Sequence, residues 1–106
     1  MNFNLTDIKT TPSKNGLSMT AKFWIDGIYV ADFEDKGEGG EPFLYINIYD
    51  RKAMELFAKF DAAIEILPEI YIKEYDYWMK ISQYFFIDML HAALINKSEF
   101  KLLEAA

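Results

Sequence analysis

Leu17-Ser18-Met19-Thr20-Ala21-Lys22-Phe23-Trp24-Ile25-Asp26-Gly27-Ile28-Tyr29-Val30-Ala31-Asp32-Phe33-Glu34 decides the fold. Two runs rich in β-branched and aromatic residues flank an Asp-Gly pair. A two-residue type I′ turn needs positive φ at both central positions, and Asp-Gly supplies it at the least steric cost. The pair therefore predicts a hairpin of strands over 17–25 and 28–34. A two-residue loop sets Ile25 against Ile28, Trp24 against Tyr29, and Phe23 against Val30. The two-residue period of a strand then places Met19, Ala21, Phe23, Ile25, Ile28 and Val30 on one face, with Trp24, Tyr29 and Phe33 on the other. Both faces carry apolar groups, more than a sheet with one wet side requires.

The flanking sequence extends this sheet. Residues 3–10 read as a strand closed by Thr11-Pro12 and the turn signal Asn15-Gly16. Residues 35–42 form a loop holding three of the chain's five glycines. Residues 43–48 alternate as a fourth strand. The second half changes period. Asp50 is the expected N-cap of a helix over 51–67, with Ala53, Leu56, Phe57, Phe60, Ala63, Ile64 and Leu67 on one stripe and Pro68 ending it. A second helix is expected over 76–96, with Trp78, Ile81, Phe85, Met89, Ala92 and Ile95 as its stripe. Residues 69–75 fit a strand or the start of a helix. Ser98 is positioned to cap a short third helix. The expectation is an α+β fold: a small antiparallel sheet of about four strands followed by two or three helices packed on one face. With 106 residues the chain has the length of a single domain, a β-meander over 1–49 and a helical half over 50–106.

Composition narrows the chemistry. The absence of cysteine excludes a disulfide scaffold, a thiolate metal site and a cysteine nucleophile, and one histidine excludes any site built on two imidazoles. The first residues lack the basic start and apolar run of a signal peptide, and no stretch reaches the roughly 20 apolar residues of a membrane span. A cytoplasmic protein is the expectation. Residues 26–41 hold six acids against one lysine, a net of −5 out of −6 for the whole chain. Arg51 is the only arginine. A protein that grips nucleic acid shows a basic stripe and several arginine forks, so direct nucleic-acid binding is disfavoured.

No pattern in the chain assembles a catalytic site. Gly37-Glu38-Gly39-Gly40 has no Lys-Ser/Thr after it and no helix opening from it, and surrounding acids repel phosphate. His91 falls mid-helix, three residues after Asp88 and nine after Ser82. One helix cannot aim all three at one substrate atom. The acids Asp32, Glu34, Asp35, Glu38 and Glu41 lack the spacing of a calcium-binding loop. The expectation is no enzyme activity, no metal and no cofactor. What the acids do offer is a negative surface on a rigid aromatic sheet, complementary to a positively charged groove. Tyr71, Tyr75, Tyr77, Trp78 and Tyr84 form a second aromatic group suited to an interface, including self-association into a homodimer through the second helix.

The run Thr20-Ala21-Lys22-Phe23-Trp24-Ile25-Asp26-Gly27-Ile28-Tyr29-Val30-Ala31, followed by Gly37-Glu38-Gly39-Gly40, resembles small phage and mobile-element proteins that open with a strand, an Asp-Gly turn, a strand and a Gly-x-Gly-Gly loop. The resemblance covers about residues 16–45. It implies an anti-defence context of the anti-CRISPR kind and no catalytic residues. On that basis the chain is expected to be a stoichiometric inhibitor of a bacterial RNA-guided nuclease. Asp32, Glu34, Asp35, Glu38 and Glu41 would meet the basic channel of this protein partner, with Trp24, Tyr29 and Phe33 as apolar anchors. Two other classes remain open. One is a sponge for a nucleotide signal, with Lys22, Arg51 and Lys52 as its cationic groups. The other is a structural or assembly protein acting through its helical face.

Overall fold

Asp26 and Gly27 both adopt positive φ, 51° and 77°, in a computed structural model that describes residues 1–14, 16–38 and 41–97. The turn closes with Ile25 opposite Ile28 and Trp24 opposite Tyr29, as the Asp-Gly pair requires. It joins β2 (Gly16–Ile25) to β3 (Ile28–Asp35). With β1 (Phe3–Ser13) and β4 (Phe43–Ile46) they form an antiparallel meander in the order β1-β2-β3-β4. The Asp26 carboxylate accepts the Asn2 amide at 2.8 Å, and the Asp26 amide donates to the Asn2 carbonyl at 2.8 Å, so the turn also fixes the start of β1.

Two departures from regular pairing shape the sheet. β1 continues through Pro12 to Ser13, beyond the expected end at residue 10. An edge strand tolerates proline because the missing N–H costs no ladder bond. β1 also shifts register between Thr6 and Lys9, where Asp7 takes a φ of 51°. The second departure is a bulge in β3. Phe23 pairs with Ala31, not Val30, while Trp24 keeps Tyr29. Val30 is therefore an extra residue, and every β3 side chain beyond it changes face. Phe33, expected beside Trp24 and Tyr29, instead points into the core and is 1% exposed.

Both helices cover the same side of the sheet. α1 (Arg51–Glu65) begins at Asp50, whose side chain accepts the amides of Lys52 and Ala53 at 2.9 and 3.3 Å. It buries Ala53, Leu56, Phe57, Phe60 and Ile64. α2 (Gln83–Ile95) begins at Ser82, whose hydroxyl accepts the Phe85 amide at 3.1 Å. At the centre Phe60 lies 5.2 Å from Phe23, 5.9 Å from Phe3, 5.7 Å from Phe57 and 5.0 Å from Phe86, ring centre to ring centre. These tilted and edge-on contacts each add about 0.5–1.5 kcal/mol beyond the area they bury. The architecture is α+β, with two helices among the described residues. The helix expected after Ser98 lies outside them.

The second helix starts later than its periodicity predicts. Residues 77–79 are not helical. Tyr77, Trp78 and Met79 form β6 (Tyr77–Met79), paired with Ile72, Tyr71 and Ile70 of β5 (Ile70–Ile72). Ser82 supplies the cap that residue 76 lacks, and Asp76 instead turns the ribbon at a φ of 52°. The expected stripe changes with it. Trp78 is 63% exposed, and the helix buries Phe86, Ile87, Leu90 and Ala93 rather than Phe85, Met89, Ala92 and Ile95. Residues 84–95 are apolar nearly all round, so spacing alone does not choose which face turns inward.

Candidate functional site

The sheet's side away from the helices carries no described element, and the register determines what it displays. Lys22, Asp32 and Tyr45 line up across β2, β3 and β4, and Thr20, Glu34 and Phe43 form the next row. Trp24 and Tyr29 make a third row, with ring centres 5.8 Å apart. The Trp24 indole N–H donates to Thr6 Oγ1 at 2.7 Å, which holds the ring against β1. The Lys22 ammonium lies 5.3 Å over the Tyr29 ring and 3.6 Å from Asp7. A shallow groove of about 630 Å³ runs among Asp7, Lys9, Lys22, Asp32, Glu34 and Tyr45.

The bulge at Val30 brings Tyr29 and Asp32 together. Residues three apart in a regular strand lie on opposite faces. Here the extra residue returns Asp32 to the side of Tyr29, where its carboxylate acts on the phenol. Burial of the phenol, and then Asp32 as hydrogen-bond acceptor and as negative charge, push the Tyr29 hydroxyl up from 10.0 to about 12.

The five acids do not form one patch. Asp32 and Glu34 share the uncovered face. Asp35 lies opposite the buried Met19, turns back to accept the Gly37 amide at 2.9 Å, and is close enough to Asp88 of α2 to affect its titration. Asp88 is raised by partial desolvation at the helix surface, then by Asp35, while His91 lowers it. Glu38 and Glu41 border a separate hollow with Lys36, Phe43 and Tyr84. Gly37 anchors this loop. Gly37, at a φ of +70°, sits against the Leu17 backbone, and Ser13 Oγ donates to the carbonyls of Gly16 and Gly37 at 2.7 and 3.0 Å.

Of the three expected apolar anchors, Trp24 and Tyr29 stand on the uncovered face and Phe33 does not. Sequence reasoning missed Phe43 and Tyr45, both exposed and stacked at 6.1 Å. Their alternation along β4 was visible, but which parity faced outward depended on the bulge. The second aromatic group divides as well. Tyr71, Tyr75, Tyr77 and Trp78 are exposed on the β5–β6 ribbon, with Tyr71 5.5 Å from Trp78, whereas Tyr84 belongs to α2 and packs on the core.

The remaining candidate chemistry does not assemble. Ser82 is engaged in capping α2, and nine residues of helix separate it from His91, a rise of about 13 Å. Among the described residues no three carboxylate or imidazole groups converge on a common point. Lys22 lines the groove on the sheet, but Arg51 and Lys52, at the start of α1, do not. No described helix is long and apolar enough to cross a membrane. The chain matches no protein-family model, no curated protein and no solved structure.

Proposed function

We propose that this protein is a non-catalytic binding module that docks on a positively charged protein surface through the uncovered face of its sheet. The observation that carries the reading is the row structure of that face. Asp32 and Glu34 stand on a rigid, hydrogen-bonded platform between Trp24, Tyr29, Phe43 and Tyr45. Aromatic rings offer large contact area at low entropic cost, and fixed carboxylates orient a cationic partner and speed encounter. Glu38 and Glu41 extend the negative field from the neighbouring loop. Across the groove Asp7, Asp32 and Glu34 outnumber Lys9 and Lys22 by one charge, which leaves the face net negative.

In its specific form the partner is a nucleic-acid-guided nuclease, and the module inhibits it by occupying the basic channel meant for guide or target. The resemblance of residues 16–45 to small phage proteins of the anti-CRISPR kind supports this form, as does the pairing of Asp32 and Glu34 on the uncovered face. Purified RNA-guided nucleases, loaded with guide, would be titrated with the protein in a cleavage assay. The expected result is inhibition complete near one equivalent and weakened by salt. The combined variant Asp32→Asn, Glu34→Gln, Glu38→Gln, Glu41→Gln should lose at least tenfold in potency. Full inhibition by that variant would place the docking site elsewhere. Cleavage untouched at large excess, across nuclease types, would remove the nuclease reading.

A further inference from the structure

We infer that β4 is a self-pairing edge through which two copies of the chain join their sheets into one. The inference goes beyond the docking reading and does not depend on it. The Asn47 amide donates to the Val30 carbonyl at 2.8 Å, and the next pairs are Ala31 with Ile46, Asp32 with Tyr45, and Phe33 with Leu44. In an antiparallel ladder, hydrogen-bonded and non-hydrogen-bonded pairs alternate. Asn47, Tyr45 and Phe43 therefore direct their backbone groups toward β3. Leu44 and Ile46 direct theirs to the free edge, where no backbone partner is present among the described residues.

Those free groups are self-complementary. A two-fold axis at Tyr45 sets Leu44 against Ile46 of the second copy, and Ile46 against Leu44. Each of these pairs exchanges two backbone hydrogen bonds, four in all. The same register keeps the faces aligned, because residues of equal parity oppose one another. Tyr45 then meets Tyr45 on the outer face, and Leu44 meets Ile46 on the helix side.

The occupant follows from charge and from the contrast between the two edges. Residues 42–49 carry no charged side chain, in a chain of net charge −6, so a second copy can approach along this line without opposing like charges. Exposed apolar groups gather here: Phe43, Tyr45, Ile46, Ile48 and Tyr49, the last 95% exposed. β1, the opposite edge, has the features that discourage pairing: the register shift at Asp7, Lys9, and Pro12. One bare edge and one blunted edge give a closed dimer and not a growing ribbon.

The test uses the protein alone. Sedimentation from about 5 to about 500 µM, a range that brackets a micromolar contact, should show the mass rising from 12.4 kDa toward twice that value. Ile46→Lys, at an exposed edge position, should stay folded by circular dichroism and remain monomeric throughout. The chain has no cysteine, so Tyr45→Cys introduces a single thiol. Facing α-carbons in a non-hydrogen-bonded pair lie about 4.5 Å apart, within the span a disulfide bridges. Mild oxidation should link Tyr45→Cys at least tenfold faster than Thr10→Cys on β1. A wild-type protein that stays monomeric at the highest concentration, or equal linking at the two positions, overturns the inference.

Discussion

Replacing Asp32 by Asn, and following Tyr29 by its ring signals as pH rises, tests the geometry on which the uncovered face depends. The two residues share a face only because Val30 is an extra residue in β3. The phenol is raised to about 12, first by burial and then by the hydrogen bond to Asp32 and its charge. Asn at 32 removes the charge and leaves burial, so Tyr29 should ionise at lower pH than in the wild type but still above its ordinary 10.0. The sign for stability follows from linkage. Folding raises the pKa, so the contribution is complete below pH 10 and is lost as pH climbs from 10 to about 12. Two units correspond to about 2.7 kcal/mol in a shielded site. One side of this ring is open to water, which reduces the contribution to about 1 kcal/mol. Tyrosine-labelled NMR, with Tyr29→Phe for assignment among the seven tyrosines, reads the titration directly. Urea midpoints at pH 9 and pH 11 read the stability. If Tyr29 ionises at its ordinary pH, or if Asp32→Asn leaves its titration unmoved, the two side chains do not meet and the bulge is misplaced.

Three further outcomes follow from the packing. Phe60→Ala empties the centre of the aromatic core, where the ring is fully buried among Phe3, Phe23, Phe57 and Phe86; a loss of about 3–5 kcal/mol should lower the urea midpoint sharply or unfold the chain. Gly37→Ala sets a methyl 2.7 Å from the Leu17 backbone and from Ser13 Oγ at a φ of +70°, and should cost about 2 kcal/mol by chemical denaturation. Asp88→Asn removes a carboxylate whose pKa is raised by partial desolvation and by Asp35. Folding therefore opposes its charged form, so the variant should be more stable than wild type at pH 7, with the gain gone below the carboxylate's unfolded pKa in a pH series of thermal melts.

Local chemistry was legible where a residue type has few alternatives. Asp26-Gly27 fixed a two-residue turn, and Asp50 fixed the start of α1, because each supplies a backbone conformation or acceptor that its neighbours cannot. The bulge was not legible, because an added residue is defined against the partner strand and leaves no mark in its own. Its effect is large all the same. It turns Phe33 inward, sets Asp32 and Glu34 outward, and sends Asp35 toward α2. The start of the second helix failed for another reason. Tyr77-Trp78-Met79 suits a helix stripe and a strand equally, and pairing with Ile70-Tyr71-Ile72 settles it in favour of the strand. Local charge density along the chain is therefore a weaker guide to which side chains share a surface than strand parity. Five acids close together in sequence are distributed over three surfaces of the fold, and Asp32 and Glu34 are the pair that shares the uncovered face with Tyr29 and Tyr45. On the proposed docking mode a partner contacts Asp32 and Glu34 together with the rings, so the loss of binding on exchanging the acids for amides and the rings for alanine at once should differ from the sum of the two separate losses.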